Sequence, residues 1–306
     1  MTKPPLILIG GPTASGKSAR ALEAARRMNG VIINADAMQV YAGLPLLTAQ
    51  PEAEDKRAAP HELYEVYDPA ERSSAGKWLA LAEAALRRCA EAGRTPILVG
   101  GTGLYFKALT DGLAAIPPIP DAVRAEVQAL YEHMGEAAFR SRLATLDPSS
   151  AARIKPNDRQ RLIRAFEVAQ HTGQPLGYWQ NGAGQAQDGA GPVSAFAVRR
   201  ILLLPPREEL YAACDRRFER MMERGALEEV RALLDRSLDP DLPAMKILGV
   251  RELAAYLRGE VSRADAVAQA QQATRNYAKR QMTWFRNQWR EDGGDYSVSS
   301  TPTTAS

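Results

Sequence analysis

Cysteine is scarce in this chain, and it has neither long hydrophobic runs nor a strong net charge. The 306 residues include two cysteines, Cys89 and Cys214, which lie far apart and outside any CxxC pattern. We therefore expect buried, reduced thiols, and neither a disulfide framework nor a cysteine metal site. No apolar run approaches the roughly 18 residues that a membrane span needs. Residues 1–5 lead straight into a short apolar run, which leaves no room for a signal peptide, so we expect a cytoplasmic protein.

The net charge of +3 at pH 7 is too small to identify a binding partner. An argument for nucleic-acid binding must therefore rest on where the charge is concentrated. Hydrophobic residues make up 45% of the chain and charged residues 25%, which is typical of a soluble globular protein. A chain of this length can bury a large core, in one big domain or two ordinary ones.

Short apolar segments alternate with helical patterns in the first hundred residues. Residues 6–9, 31–34 and 96–99 are short apolar runs. Helical patterns cover residues 17–28 and 75–91 between them. This alternation predicts a parallel β-sheet with helices on both faces.

The pattern changes after the proline-rich sequence IPPIP at residues 116–120. Residues 121–178 carry helical periodicity alone, with breaks at Gly135 and at the Asp-Pro and Lys-Pro pairs, and a Gly-, Ala- and Gln-rich segment follows. Strand character returns at residues 196–204 and is followed by further helical patterns. We predict a discontinuous α/β core at residues 1–115 and 195–292, an all-helical insertion at 116–194 and a disordered tail at 293–306.

A phosphate-binding pattern, GxxxxGK[ST], lies between the first apolar run and the first helical pattern. Its glycines let backbone N–H groups turn inward around phosphate oxygens, and the helix start adds its positive dipole end. Lys17 supplies a positive charge, and the Ser18 hydroxyl can complete the ligand shell of a Mg²⁺ ion. The alternative is a glycine-rich turn that merely starts a helix, and the pattern does not say which polyphosphate is bound. The predicted phosphate-binding residues are Gly11, Pro12, Thr13, Ala14, Ser15, Gly16, Lys17 and Ser18.

Two further strand ends carry polar side chains. Asp36 follows the second apolar run, at the edge of the sheet where α/β proteins bind ligands. Its position suits an indirect Mg²⁺ ligand, a general base or a helix N-cap. Thr102 follows the third run in the sequence GGTGLY, and it suits either an N-cap or a contact to substrate.

Basic side chains are concentrated in two of the helical patterns. One cluster lies at residues 153–164, where a solvated surface is the alternative to RNA contact. The last helical pattern has a basic stripe that suits contact with phosphates. An adjoining face of Met282, Phe285 and Trp289 is interpreted as core. The stripe consists of four side chains within roughly 60° of each other on a helix, which are Arg275, Lys279, Arg286 and Arg290.

Five motifs occur in the order GGPTASGKS, NADAMQVY, VGGTGLYFKALTDGL, KPNDRQRLIRAFEV and TRNYAKRQMTWFR. Together they resemble the bacterial tRNA dimethylallyltransferase family, from about residue 6 to residue 286. The resemblance implies a P-loop NTPase-like α/β fold with an all-helical insertion. It also implies transfer of a dimethylallyl group from dimethylallyl diphosphate to N6 of adenosine 37, 3′ to the anticodon, in tRNAs that read codons beginning with U. Diphosphate is released, and no obligate protein partner is implied.

The resemblance also implies roles for individual residues. Asp36 would bind the N6 amine and take its proton, Thr102 would orient the reacting groups, and Mg²⁺ held by Ser18 would be the cofactor. Arg217 is a further candidate for the diphosphate, because arginine binds phosphate bidentately; a solvated helix charge is the alternative. The positions that match RNA-contacting stretches of the family are Asp36, Ala37, Met38, Gln39, Thr102, Arg124, Gln160, Arg161, Leu162, Ile163, Arg164, Lys246, Ile247, Leu248, Gly249, Val250 and Arg251.

One position departs from the family pattern, because Ala37 stands where the family usually has serine. Any hydrogen bond of that serine hydroxyl is missing here.

The main alternative function is a nucleotide or small-metabolite kinase, which would share the fold and the phosphate loop but consume ATP. The motif around Asp36 and the motif TRNYAKRQMTWFR have no role expected of such a kinase. A non-catalytic RNA-binding protein would not need Asp36 and Thr102 together with an intact loop.

Overall fold

The computed structural model describes residues 3–183 and 191–289. Within it the chain divides into two units, one made of Met1–Thr110 with Pro192–Ser306 and the other of Asp111–Gly191. The predicted tail at residues 293–306 lies outside the described residues, as do residues 184–190 of the glycine-rich segment.

One parallel sheet lies in the first unit, and among the described residues it has five strands in the spatial order β3-β2-β4-β1-β5. The expected strands at residues 6–9, 31–34 and 96–99 are confirmed as β1, β2 and β4. These are almost entirely buried, because helices cover both faces of a parallel sheet. The strand bounds are β1 Pro5–Gly10, β2 Gly30–Asn34, β3 His61–Glu62, β4 Thr95–Gly100 and β5 Ala197–Leu202.

Helices make up most of the remaining chain. None of those within residues 3–183 and 191–289 is long and apolar enough to cross a membrane. Short 3₁₀ turns cover Pro192–Ala195 and Pro243–Lys246, and a π turn covers Trp179–Ala183. In chain order the helices are α1 Lys17–Arg27, α2 Ala53–Ala58, α3 Ala75–Glu91, α4 Gly103–Asp111, α5 Asp121–Leu146, α6 Pro148–Arg153, α7 Arg159–Thr172, α8 Leu176–Tyr178, α9 Arg207–Glu223, α10 Ala226–Asp235, α11 Val250–Leu257 and α12 Arg263–Gln288.

Strand β1 shows how the sheet separates two apolar cores. Because successive side chains of a strand point to opposite faces, Leu6 and Leu8 enter the larger core. Ile7 and Ile9 enter the smaller core, where they pack with Ala21 of α1. The larger core also takes in side chains of α3, α9, α10, α11 and α12. The predicted arrangement, a parallel sheet between helical layers, is therefore confirmed.

The helical unit Asp111–Gly191 has its own core, built from α5, α6 and α7 around Phe139 and Phe166. Helix α5 is interrupted at Gly135, whose φ of 70° is a left-handed conformation that favours glycine. Asp147 separates α5 from α6, and its Oδ1 accepts a hydrogen bond from the Ser150 N–H at 2.9 Å. The predicted breaks at residues 135 and 147–148 are confirmed.

Both cysteines are buried. Burial raises the pKa of the Cys89 thiol to about 11, and it raises the pKa of the Cys214 thiol as well. Both groups therefore stay protonated near neutral pH, which is the condition of an inert structural thiol. The expectation of buried thiols is confirmed.

Candidate active site

Three polar loops meet at the carboxyl edge of the sheet. β1 ends at Gly10 before the phosphate loop, β2 ends at Asn34 before Asp36, and β4 ends at Gly100 before Thr102. β4 lies between β1 and β2, and all three run in the same direction. The three loops consequently lie side by side, in the position where α/β sheets bind ligands.

The phosphate loop (residues 11–18) has the backbone conformation of an anion-binding turn. Ala14 and Gly16 are left-handed, with φ of 61° and 86°, so that neighbouring N–H groups can point into one concavity. Gly11 has a φ of 153° and no space for a side chain, since a Cβ there would lie 2.4 Å from the Leu203 carbonyl oxygen. Helix α1 begins at Lys17, within the last two residues of the loop, and directs its positive dipole end toward it.

Two cations, Lys17 and Arg217, belong to this loop. The Lys17 ammonium donates to the Pro12 carbonyl, and burial lowers its pKa to about 8, although the nearby Asp36 carboxylate opposes the shift. The Arg217 guanidinium, on α9, donates to the Thr13 hydroxyl. Burial lowers the pKa of Arg217 too, so it is not an ordinary solvated helix charge. Two desolvated cations beside inward-turned N–H groups favour a polyanionic ligand.

The backbone at Asp36 is held by the fully buried side chain of Asn34. Asn34 donates to the Asp36 carbonyl at 3.0 Å and accepts from the Asp36 N–H at 2.8 Å. The Asp36 carboxylate accepts the Met38 N–H through Oδ1 at 2.9 Å, which is a turn contact. Its Oδ2 faces the β4 loop, 3.4 Å from the place where a Cβ on Gly101 would lie. One oxygen therefore orients the side chain and the other faces the neighbouring loop.

The Thr102 hydroxyl connects the loops after β2 and β4. It accepts the Ala37 N–H at 2.8 Å, and the side chain of Tyr277 on α12 lies close to it. The Thr102 N–H in turn donates to the Ala35 carbonyl at 3.2 Å. The hydroxyl thus bridges two loops, which an N-cap of α4 would not do. The contact to residue 37 uses its backbone, so the alanine found there does not affect it.

Three tyrosines lie close enough to Asp36 for its negative charge to affect their pKa values. Burial raises the pKa values of Tyr64, Tyr105 and Tyr277, and the Asp36 carboxylate raises each of them further. Tyr105 is stacked on Trp78, with ring centroids 4.1 Å apart. The phenols stay protonated at neutral pH, so the tyrosines near the carboxylate are uncharged. We did not predict these tyrosines, although two of them lie within the recognised motifs.

The family model described as IPP transferase matches residues 39–288 of the chain. The match covers well over half of the sequence and extends from the loop after Asp36 to the end of α12. The chain belongs to the IPP transferase family.

The relatives of this chain match nearly its whole length. A tRNA dimethylallyltransferase of Rhodospirillum centenum is 55% identical over 284 residues, which are 93% of this chain and 89% of the relative. Another tRNA dimethylallyltransferase, from Phenylobacterium zucineum, is 54% identical over 286 residues, with 94% and 91% covered.

Two solved structures are similar as well. The tRNA isopentenylpyrophosphate transferase of Bacillus halodurans gives a TM-score of 0.65 at 35% identity, with 94% of this chain and 88% of that chain covered. A eukaryotic dimethylallyltransferase, studied crystallographically while acting on tRNA, gives a TM-score of 0.77 at 26% identity, with 92% and 70% covered. These neighbours confirm the P-loop NTPase-like fold expected from the sequence.

The predicted RNA-contacting residues 36–39 lie in a loop that the Gln39 side chain helps to stabilise. Its amide nitrogen donates to the carbonyls of Thr48 and Ala49 at 2.9 and 2.7 Å. Both amide hydrogens are therefore used within the protein. Only the carbonyl end of this side chain, and the backbone, are left for an RNA contact.

Glu229 of α10 fastens the same loop, because its carboxylate accepts the N–H groups of Leu46 and Leu47 at 2.7 and 2.9 Å. We expect Glu229→Gln to lower the free energy of unfolding by about 1–3 kcal/mol, since an amide leaves one buried N–H without an acceptor. Urea denaturation measures this. Glu228→Gln removes an exposed carboxylate next to Glu229. This control should leave the urea concentration at the midpoint of unfolding unchanged. Equal effects of both substitutions would contradict the anchoring role.

The predicted stretch 246–251 presents two basic side chains to solvent, Lys246 and Arg251. The side chains of Ile247 and Val250 are only 2% and 1% exposed and belong to the core. Between them, Gly249 is buried and Leu248 is half-buried. RNA contact through side chains therefore remains a prediction for the two basic residues.

Arg124 and residues 160–164 lie in the helical unit, at the starts of α5 and α7. Gln160 and Arg161 are exposed, whereas Leu162 is fully buried in the core of that unit. The two remaining side chains are half-buried, Ile163 and Arg164. RNA contact by this unit stays a prediction.

The basic stripe of α12 is shorter than the sequence indicated. Arg275 forms an ion pair with Asp215 of α9 at 2.6 Å, so it joins two helices. Lys279 and Arg286 are exposed, and Arg290 lies outside the described residues. The adjoining face is core, as interpreted from the sequence, and its members are Met282 and Phe285, with Trp289 packed against them.

Proposed function

We propose that the protein transfers a dimethylallyl group from dimethylallyl diphosphate to N6 of the adenosine 3′ to the anticodon of tRNA. Such a substrate suits the cytoplasmic location expected from the sequence. The observation that carries the proposal is the Asp36 carboxylate beside a phosphate loop flanked by two desolvated cations. This arrangement supports a proton acceptor next to a site for a leaving diphosphate. The names of the relatives, which cover most of this chain, support the same reaction.

The donor half of the reaction uses the phosphate loop. As the allylic C–O bond breaks, positive charge develops on carbon and negative charge on the leaving oxygen. Lys17, Arg217 and the loop N–H groups are positioned to stabilise that oxygen, and in a water-poor site such contacts are stronger than in bulk water. The phosphate loop would therefore bind the diphosphate as it leaves.

The acceptor half uses the loops after β2 and β4. The N6 nitrogen forms a bond to the allylic carbon, diphosphate leaves with the C–O bonding pair, and the N6 proton passes to the Asp36 carboxylate. The Met38 N–H holds that carboxylate and Asn34 holds the Asp36 backbone. Thr102 fastens the next residue, Ala37, to the neighbouring loop. A base stacked in the anticodon loop has to be turned outward to reach this edge, which costs less there than in a duplex.

Mg²⁺ is part of the proposal. Within the described residues no group of three or more acidic, histidine or cysteine side chains could hold a metal ion. This fits Mg²⁺, which commonly takes one or two protein ligands and completes its shell with substrate phosphates and water. Ser18, exposed at the start of α1, would supply the hydroxyl ligand. When bound, the ion would neutralise charge on the diphosphate.

The decisive experiment supplies an anticodon stem-loop, dimethylallyl diphosphate and Mg²⁺ without ATP, and then weighs the RNA. We expect the mass to increase by one dimethylallyl group, with release of diphosphate. Replacing adenosine 37 with guanosine in the same stem-loop should abolish the increase. An unchanged RNA mass, together with phosphate transfer from ATP to a small acceptor, would instead identify a kinase.

Binding of tRNA should weaken steeply with salt if basic side chains contact its phosphates. We expect Arg161→Ala to reduce the slope of log K against log[salt] by about 1, the amount expected for one phosphate contact. Arg142→Ala, which removes an exposed arginine from α5 of the same helical unit, is the matched control. Filter binding or fluorescence anisotropy at several salt concentrations measures both slopes. Identical slopes for the two variants would place the RNA elsewhere.

A further inference from the structure

Gln281 is one of two polar side chains that α12 buries, the other being Thr274, and it is 5% exposed. Its Oε1 accepts the Thr13 N–H of the phosphate loop at 2.8 Å. Its Nε2 donates to the Gly101 carbonyl of the β4 loop at 2.9 Å. One amide thus bridges the loop assigned to the donor and the loop next to the acceptor. Gln281 lies in the motif TRNYAKRQMTWFR, but no role was predicted for this residue.

The Gln281 amide fits beside Gly101 because a glycine has no side chain. A Cβ at position 101 would lie 2.1 Å from the Gln281 Nε2 and 3.4 Å from the Asp36 Oδ2. The amide nitrogen therefore occupies the volume that a side chain on Gly101 would take. The amide and the carboxylate both lie within 3.4 Å of that point, so the bridge is next to the proposed base.

Thr13 is held from two sides. Its N–H is bound by Gln281 of α12, and its hydroxyl accepts from Arg217 of α9. The two helices are themselves joined by the Arg275–Asp215 ion pair at 2.6 Å. A displacement of α12 would therefore shift both the phosphate loop and the β4 loop.

We propose that Gln281 is a positioning residue that sets the spacing between the diphosphate and the amine it reacts with. The inference rests on the proposed function. A shift of about 1 Å between reacting groups can cost about 10²-fold in rate. A buried amide suits this task because it donates at one end and accepts at the other, so it can satisfy both loops only in one orientation.

The variant Gln281→Glu tests the donor end of the bridge. As a carboxylate, the new side chain can still accept the Thr13 N–H but repels the Gly101 carbonyl; as a carboxylic acid, it can donate to that carbonyl again. We expect kcat to fall by about 10²-fold at alkaline pH, with KM for either substrate changed only a few-fold. The ratio of variant to wild-type kcat should then rise as the pH is lowered from about 8.5 to about 5.5, as the glutamate is protonated. Taking the ratio removes the titration of groups whose pKa values the substitution leaves unchanged.

The near-isosteric Gln281→Met removes both hydrogen bonds and should lose activity equally at every pH. Gln272→Glu, an exposed position on the same helix, should match wild type throughout. If wild type transfers no dimethylallyl group, the proposed function fails and the inference falls with it. If wild type is active and Gln281→Glu shows either unchanged kcat or a loss with no pH-dependent recovery, the positioning role is wrong while the proposed function stands. Urea denaturation of each variant verifies that the loss does not follow from unfolding.

Discussion

Replacing Asp36 with asparagine is expected to lower kcat by about 10²-fold or more, the usual contribution of a positioned general base. The structure makes asparagine the informative choice. Oδ1 of Asp36 accepts the Met38 N–H at 2.9 Å, and the side-chain carbonyl of asparagine can accept the same hydrogen bond. The turn is therefore retained while the proton acceptor is lost. Steady-state kinetics with saturating tRNA and dimethylallyl diphosphate measure the change.

The control for this prediction is Glu54→Gln, which removes an exposed carboxylate from α2 of the same unit. It should leave kcat unchanged. Near-normal turnover of Asp36→Asn would reassign Asp36 as a structural turn residue, because the hydrogen bond to Met38 would then explain its presence. Loss of RNA binding without loss of kcat would point to base recognition instead.

Replacing Arg217 with alanine is expected to lower kcat by about 10²–10³-fold, the range found when one preorganised donor to a developing anion is removed. Its guanidinium donates to the Thr13 hydroxyl, so this half-buried side chain lies at the phosphate loop. Arg217→Lys should recover only part of the activity, because an ammonium keeps the charge but loses the planar pair of donors. The KM for dimethylallyl diphosphate should rise as well.

The neighbouring residue Arg216 provides a matched control, because it is exposed on the same helix. Arg216→Ala removes an identical side chain and should change kcat by less than about twofold, as expected for a solvated charge. A comparable loss in both variants would mean that the helix, and not the Arg217 guanidinium, is what catalysis needs. Full activity of Arg217→Lys would show that charge alone suffices.

Local sequence patterns predicted the parts of the fold that depend on neighbouring residues. The apolar runs of β1, β2 and β4 stand out because a central parallel strand is buried on both faces. β3 was missed, since His61 and Glu62 form a strand of two polar residues that is recognisable only by its pairing with β2. The basic stripe on α12 was overestimated for a related reason: helical geometry places Arg275 on that face, but only packing shows its ion pair with Asp215.

The sequence by itself determined the phosphate loop, the Asp36 and Thr102 motifs and the family, because each is a short contiguous pattern. The tertiary structure decided which of these groups meet. β4 inserts between β1 and β2, and this order, rather than position along the chain, brings three loops to one edge. The bridge from Gln281 to Thr13 joins residues 268 positions apart. Such a contact leaves no local periodicity, since it depends on how α12 packs against the sheet.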